Sequence, residues 1–93
     1  MKDQNSIIKN LEKLIIKYHL EKELNVNMVI GWVTAENEPD AMKSSREYQA
    51  KWLKHLANIP DIDEANDFIE VFTDVWNYFP HKSLNGHSTI DIS

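Results

Sequence analysis

Hydrophobic residues recur at the three- and four-residue spacing of an amphipathic helix in several parts of the chain. The two clearest stripes predict a first helix over 6–23 and a last helix over 62–79. The first stripe consists of Ile7, Ile8, Leu11, Leu14, Ile15, Tyr18 and Leu20, and the last of Ala65, Phe68, Ile69, Phe72, Val75, Trp76 and Phe79. Ser6 and Asp61 precede these stripes as candidate N-cap residues. Each helix is therefore expected to bury one face.

A third helix is predicted over 40–58, because Pro39 and Asp40 suit the start of a helix. Its inward positions are expected to be Met42, Ser45, Gln49, Trp52, Leu53 and Leu56, with Tyr48 at the margin. Its outer face is expected to be basic through Lys43, Arg46, Lys51 and Lys54.

The spacing of apolar residues in segment 26–35 fits both a strand and a helix. Its apolar residues alternate as in a strand at Val26, Met28, Ile30 and Trp32, and recur as in a helix at Val26, Val29, Ile30 and Val33. We predict a helix capped by Asn25, because an isolated strand would leave its backbone hydrogen-bonding groups unpaired. The alternative is a two-stranded ribbon between 26–34 and 88–92.

The run 76–88 marks the end of the last helix and a turn. Pro80 biases Phe79 toward an extended conformation, and Asn85 and Gly86 suit the positive φ values of a tight turn. We therefore predict an all-α fold, with 1–93 as a single domain. It would be a small bundle of about four helices with an ordered C-terminal turn.

Composition narrows the function classes. The chain has 93 residues, of which 42% are hydrophobic, and this is enough for one core. It contains no cysteine, which excludes thiol catalysis, cysteine-ligated zinc and disulfides. Its N-terminus lacks the apolar run of a signal peptide, so we expect a cytoplasmic protein without membrane contact. Abundant Ile, Asn and Lys, with Arg46 as the single arginine, suggest AT-rich coding and a bacterial source.

Negative charge is concentrated near the C-terminus. The formal net charge is −5, and residues 61–74 contain no Lys or Arg. We expect Asp63, Asp67, Glu70 and Asp74, with Tyr78 beside them, to dock on a basic protein partner. The plainer interpretation is a solvated helix face. Two further alternatives are a nucleic-acid-associated protein that uses the basic face of 43–54, and a mobile-element inhibitor that mimics nucleic acid.

Catalytic patterns are missing from the sequence. No serine lies in a G-x-S-x-G motif, and Gly31 and Gly86 are too few for a phosphate loop. His81, His87 and Asp91 form the one conceivable metal-binding set. We expect instead that His81 bonds to local backbone groups and that His87 is exposed. The sequence thus predicts a regulatory or binding module that is not an enzyme and has no cofactor or metal.

The C-terminal segment carries two resemblances. Trp76, Asn77, Pro80, His81, Leu84, Gly86 and Ser88 follow a Trp-Asn-x-x-Pro-His-x-x-Leu-x-Gly-x-Ser pattern. This pattern is similar to one in small uncharacterised bacterial helical domains, some of which precede a zinc-binding SEC-C motif. That resemblance implies a helical, non-catalytic domain and assigns no functional residue. The same segment resembles the tail of transposase and integrase catalytic domains, although it lacks the arginine of their Asn-x-x-Arg-Pro-His sequence.

Overall fold

The architecture is a bundle of four helices followed by a short ribbon. The computed structural model describes residues 3–37 and 39–92. The helices are α1 (Gln4–Lys17), α2 (Val26–Thr34), α3 (Ala41–Leu53) and α4 (Ile62–Tyr78). A 3₁₀ turn, Lys54–Asn58, extends α3. After α4 come β1 (Pro80–His81), the 3₁₀ turn Lys82–Leu84, β2 (His87–Ser88) and the single helical turn α5 (Thr89–Ile92). The predicted helical bundle with an ordered C-terminal turn is confirmed.

The first helix begins earlier and ends earlier than its stripe predicts. Asp3 is the N-cap, and its Oδ1 accepts a hydrogen bond of 2.8 Å from the Ser6 backbone N–H. The Ser6 hydroxyl in turn accepts from the Asp3 N–H, which completes a capping box. Ser6 is therefore not the cap, and the predicted start was wrong by two residues. At the other end His19 has a φ of 56°, a left-handed conformation that a helix cannot continue.

The ambiguous segment is a helix. The Asn25 side chain accepts from the Met28 backbone N–H at 2.8 Å, as the cap prediction requires. Val29 and Val33 are fully buried one helical turn apart. The alternative ribbon between 26–34 and 88–92 is wrong. Residues 80–81 pair with 87–88 instead, because Pro80 ends α4 and the turn at Asn85 and Gly86 returns the chain.

The third helix is rotated relative to the sequence prediction. Tyr48, expected at the margin, is 4% exposed, whereas Met42, expected inside, is 69% exposed. The buried positions of α3 are Ser44, Tyr48 and Trp52. Gln49 and Leu53, also expected inside, are exposed. This rotation is possible because the Tyr48 hydroxyl finds an acceptor in the core, donating to the Phe72 carbonyl at 2.5 Å.

Aromatic side chains from α3 and α4 form the centre of the core. The Phe68 and Phe72 rings are stacked at 4.8 Å, and the Trp52 ring stacks on Phe72 at 5.1 Å. The Tyr48 ring lies 5.0 Å from that of Trp76. Trp76 is only half-buried, so it is more exposed than its position in the predicted inward stripe indicates. Most of the surrounding buried aliphatic side chains come from α1 and α2, and the others are Leu20, Leu24, Ile59 and Val75.

Two side-chain contacts fix α1 antiparallel to α4. At one end the Gln4 side-chain amide donates to the Tyr78 carbonyl at 3.1 Å. At the other end the Lys17 ammonium donates to a Glu64 carboxylate oxygen at 2.9 Å. Between these ends α1 covers one flank of α4.

Burial of Tyr48 makes folding stability sensitive to alkaline pH. Burial raises the pKa of the Tyr48 hydroxyl far above its ordinary value of about 10. Ionisation of Tyr48 therefore favours the unfolded chain. The contribution of the buried, protonated hydroxyl to stability is complete below about pH 10 and is lost as the pH rises further. We expect the free energy of unfolding to fall above pH 10, with Tyr48 contributing a slope of up to about 1.4 kcal/mol per pH unit.

Denaturant unfolding between pH 9 and 11 measures this slope. The Tyr48→Phe variant, which has no ionisable hydroxyl, should lose stability less steeply over the same range. Equal slopes for the two proteins would show that Tyr48 is not buried in the folded state.

Candidate functional site

The predicted acidic face lies on α4, and an N-cap stabilises the start of that helix. The Asp61 side chain accepts from the backbone N–H groups of Asp63 and Glu64 at 2.8 and 3.2 Å, which confirms it as the cap. Asp63, Asp67 and Glu70 then follow at helical spacing and are exposed. These three carboxylates are called the acidic surface below.

The two other residues predicted for partner contact are less exposed. Asp74 is 8% exposed, so the expectation that its carboxylate is solvated was wrong. It lies beside α1, in the wall of a groove between the two helices. Tyr78 is half-buried and packs against the core, so it too departs from the exposed position predicted for it.

A groove between α1 and α4 borders the acidic surface. It encloses about 330 Å³, and its walls include Asp67, Glu70 and Asp74 from α4 and Lys13 and Lys17 from α1. The hydrogen bond from Lys17 to the Glu64 carboxylate raises the pKa of Lys17. Charge along this groove is therefore mixed, with carboxylates on the α4 wall and ammonium groups on the α1 wall. The sequence places both lysines on the charged outer face of the first helix, but it does not predict that they lie beside the acidic surface.

A second polar cluster joins the α2–α3 connection to the C-terminal ribbon. His81 is 1% exposed, and its Nε2 donates to the Trp76 carbonyl at 2.7 Å. Its Nδ1 lies 3.1 Å from Glu36 Oε2. The Ser83 hydroxyl donates to the same carboxylate oxygen at 2.5 Å, and the Ser83 backbone N–H donates to the Glu36 carbonyl at 3.0 Å. The expectation that His81 bonds to local backbone at the helix end is confirmed, but Glu36 was missed.

The cluster of Glu36, His81 and Ser83 is called the fastening below. Its geometry fits a structural contact better than a catalytic triad. In nucleophilic catalysis a base accepts the proton of the serine hydroxyl, and an acid orients the base from its other side. Here the carboxylate lies between Ser83 and His81, and His81 Nε2 is engaged by a backbone carbonyl. The three side chains therefore hold the ribbon against the end of α2.

Two other sites were predicted from the sequence: a metal-binding set and the basic face of the third helix. Among residues 3–37 and 39–92, no three His, Asp or Glu side chains converge closely enough to bind a metal ion. His87 is exposed, as expected, and the Asp91 side chain lies outside the described part of the structure. The predicted basic positions of the third helix are all exposed: Lys43, Arg46, Lys51 and Lys54. The Lys51 ammonium lies 5.4 Å from the centre of the Trp32 ring.

Comparison of the chain with known protein families, with characterised proteins and with solved structures finds no match. Within the described ranges, no helix combines the length and apolar content that a membrane span requires.

The fastening predicts a specific order of stability losses. Glu36→Ala should lower the free energy of unfolding by about 2–3 kcal/mol, because it leaves Nδ1 of the buried His81 and the half-buried Ser83 hydroxyl without their hydrogen-bond partner. Ser83→Ala should cost only about 1 kcal/mol, because it removes one hydrogen bond. Denaturant unfolding measures both. Hydrogen exchange should show faster exchange at Gly86 in the Glu36→Ala variant, because its N–H bonds to His81.

Glu21→Ala is the matched control, because Glu21 is an exposed carboxylate outside the cluster. Its stability should stay within about 0.5 kcal/mol of the parent chain. A Glu36→Ala loss no larger than that of the control would contradict the role assigned to this cluster.

Proposed function

We propose that this protein is a small, non-enzymatic binding module that docks on a basic protein partner through the acidic surface. The observation that carries the proposal is the exposure of Asp63, Asp67 and Glu70 at helical spacing on one side of α4. A row of like charges on a rigid helix produces a directional field, which steers an oppositely charged partner during association. The partner expected from this chemistry presents Lys or Arg side chains.

The neighbouring groove supports this function. Its acidic wall continues the row of carboxylates, and Lys13 and Lys17 on the opposite wall come from α1. A partner with clustered positive charge would be attracted along α4 and repelled by these lysines, so the groove favours one orientation of the partner. The engagement of His81 and Ser83 in the fastening supports a module that works without catalysis.

Nucleic-acid association through α3 is the second candidate. It is favoured by the exposed side chains of Lys43, Arg46 and Lys54, which can neutralise phosphates. The exposed Glu47 lies on the same helix and opposes a polyanion, and the overall charge of −5 opposes it further. The acidic surface is therefore the better supported of the two.

The test compares two double variants that change the net charge equally. Asp67→Lys with Glu70→Lys reverses the acidic surface, and Glu12→Lys with Glu21→Lys reverses exposed carboxylates elsewhere. A decalysine peptide serves as the basic probe, and calorimetry at low and at physiological salt gives the affinity. The first pair should weaken binding by about tenfold, since each exposed ion pair contributes up to about 1 kcal/mol. Added salt should weaken binding by the parent chain.

The control pair should weaken decalysine binding much less. Equal losses for the two pairs would mean that the peptide responds to net charge alone, which would contradict docking at α4. A parallel titration with a short DNA duplex tests the second candidate. Binding of DNA that is lost on changing Lys43 and Arg46 to Gln would favour that candidate instead.

A further inference from the structure

A cavity of about 430 Å³ opens between α2 and α3, away from the acidic surface. Three aromatic side chains contribute to its walls: Trp32 from α2, Tyr48 from α3 and Trp76 from α4. Trp32 and Trp76 are half-buried, so part of each ring is accessible. The volume lies within the range of small-molecule sites, which commonly have aromatic side chains in their walls. The fold thus contains an aromatic cavity that the proposed docking function does not use.

Gly31 keeps this cavity open. Glycine inside a helix is unfavourable because it loses more conformational entropy than alanine. A close neighbour commonly explains such a glycine, but a Cβ atom at Gly31 would meet no atom of the described residues within 4 Å. The position lies in the cavity wall. The lack of a side chain therefore preserves open space.

Ser44 provides an independent sign of a ligand. It is 3% exposed and lies in the cavity wall. Its hydroxyl oxygen is buried without a hydrogen-bond partner among the described residues. Buried hydroxyl groups are normally satisfied, because desolvation without a partner is costly. A ligand with a hydrogen-bond donor would satisfy this oxygen.

The charges around the cavity indicate the sign of that ligand. Two acidic residues, Glu36 and Glu47, belong to its lining. The one ammonium group in the described lining, that of Lys51, lies 5.4 Å from the centre of the Trp32 ring, within the range of a cation–π interaction. The chain therefore already places a cation on this aromatic wall, beside negative charge.

We propose that this cavity binds a small organic cation that carries an alkylated ammonium group and a hydroxyl. The ammonium group occupies the face of Trp32, where its charge interacts with the ring and with Glu47, and it displaces the Lys51 side chain into solvent. The hydroxyl of the ligand donates to the Ser44 oxygen. None of these residues belongs to the acidic surface, so this site is independent of the docking function proposed above.

The test uses choline and its uncharged isostere 3,3-dimethylbutan-1-ol. The two compounds have the same shape and hydroxyl group and differ in the charge of the quaternary centre. Titration followed by the indole N–H signals of the three tryptophans in NMR spectra should show saturable shifts at Trp32 and Trp76 with choline. The isostere should bind at least about fivefold more weakly, since it lacks the cation–π attraction. Equal affinities, or no saturable shift with choline, would overturn the proposal.

Variants locate the site. Gly31→Leu fills the cavity and should weaken choline binding at least about tenfold, while the better helix propensity of leucine preserves the fold. Asn27→Leu is the matched control, because Asn27 is exposed on α2 outside the cavity, and it should bind choline like the parent chain. Lys51→Met removes the competing ammonium and should strengthen choline binding severalfold. Unchanged binding in folded Gly31→Leu, or weaker binding in Lys51→Met, would contradict the site described here.

Discussion

The hydrogen bond from the Tyr48 hydroxyl to the Phe72 carbonyl is the interaction on which the arrangement of the helices depends. It lets α3 bury a tyrosine rather than Met42, because the polar end of the ring is satisfied inside the core. Once Tyr48 faces inward, Trp52 follows one turn later and stacks on Phe72. The rotation of α3 is thereby fixed, and the identity of its outer face is fixed with it.

The functional surfaces depend on this rotation and on two further sets of contacts, one made by Glu36 and one made by the two ends of α1. Rotation of α3 directs Tyr48 toward Trp76 and makes Glu47 and Lys51 part of the cavity against α2. Glu36 holds the C-terminal ribbon to the end of α2 through partly buried hydrogen bonds. The contacts at the two ends of α1 hold that helix along one flank of α4, and the exposed Asp67 and Glu70 border the groove between the two helices. A charged surface and an aromatic cavity thus form in different parts of one small core.

The sequence was sufficient where structure depends on near neighbours. The stripes of α1 and α4, the caps Asn25 and Asp61, and the turn at Asn85 and Gly86 all follow from residues within a few positions of one another. The rotation of α3 was not predictable from the sequence. The predicted and the observed inward stripes both contain Trp52, and the choice between them depends on the Phe72 carbonyl, which lies 24 residues from Tyr48. The pairing of Glu36 with His81 spans 45 residues and leaves no periodic trace. The burial of Asp74 was also not predicted, because it depends on tertiary packing, and Asp74 lies beside residues of α1 that are distant in the sequence.

The most direct test of this account is which side of α3 faces the core, measured by nuclear Overhauser effects in solution. The structure predicts strong effects between the ring protons of Tyr48 and those of Trp76, whose ring centres are 5.0 Å apart. It also predicts that the methyl group of Met42, which is exposed, shows none to the core aromatic rings. Effects from the Met42 methyl to Trp52 or Phe68, together with a solvent-exposed Tyr48, would contradict the arrangement of α3 and the cavity built on it.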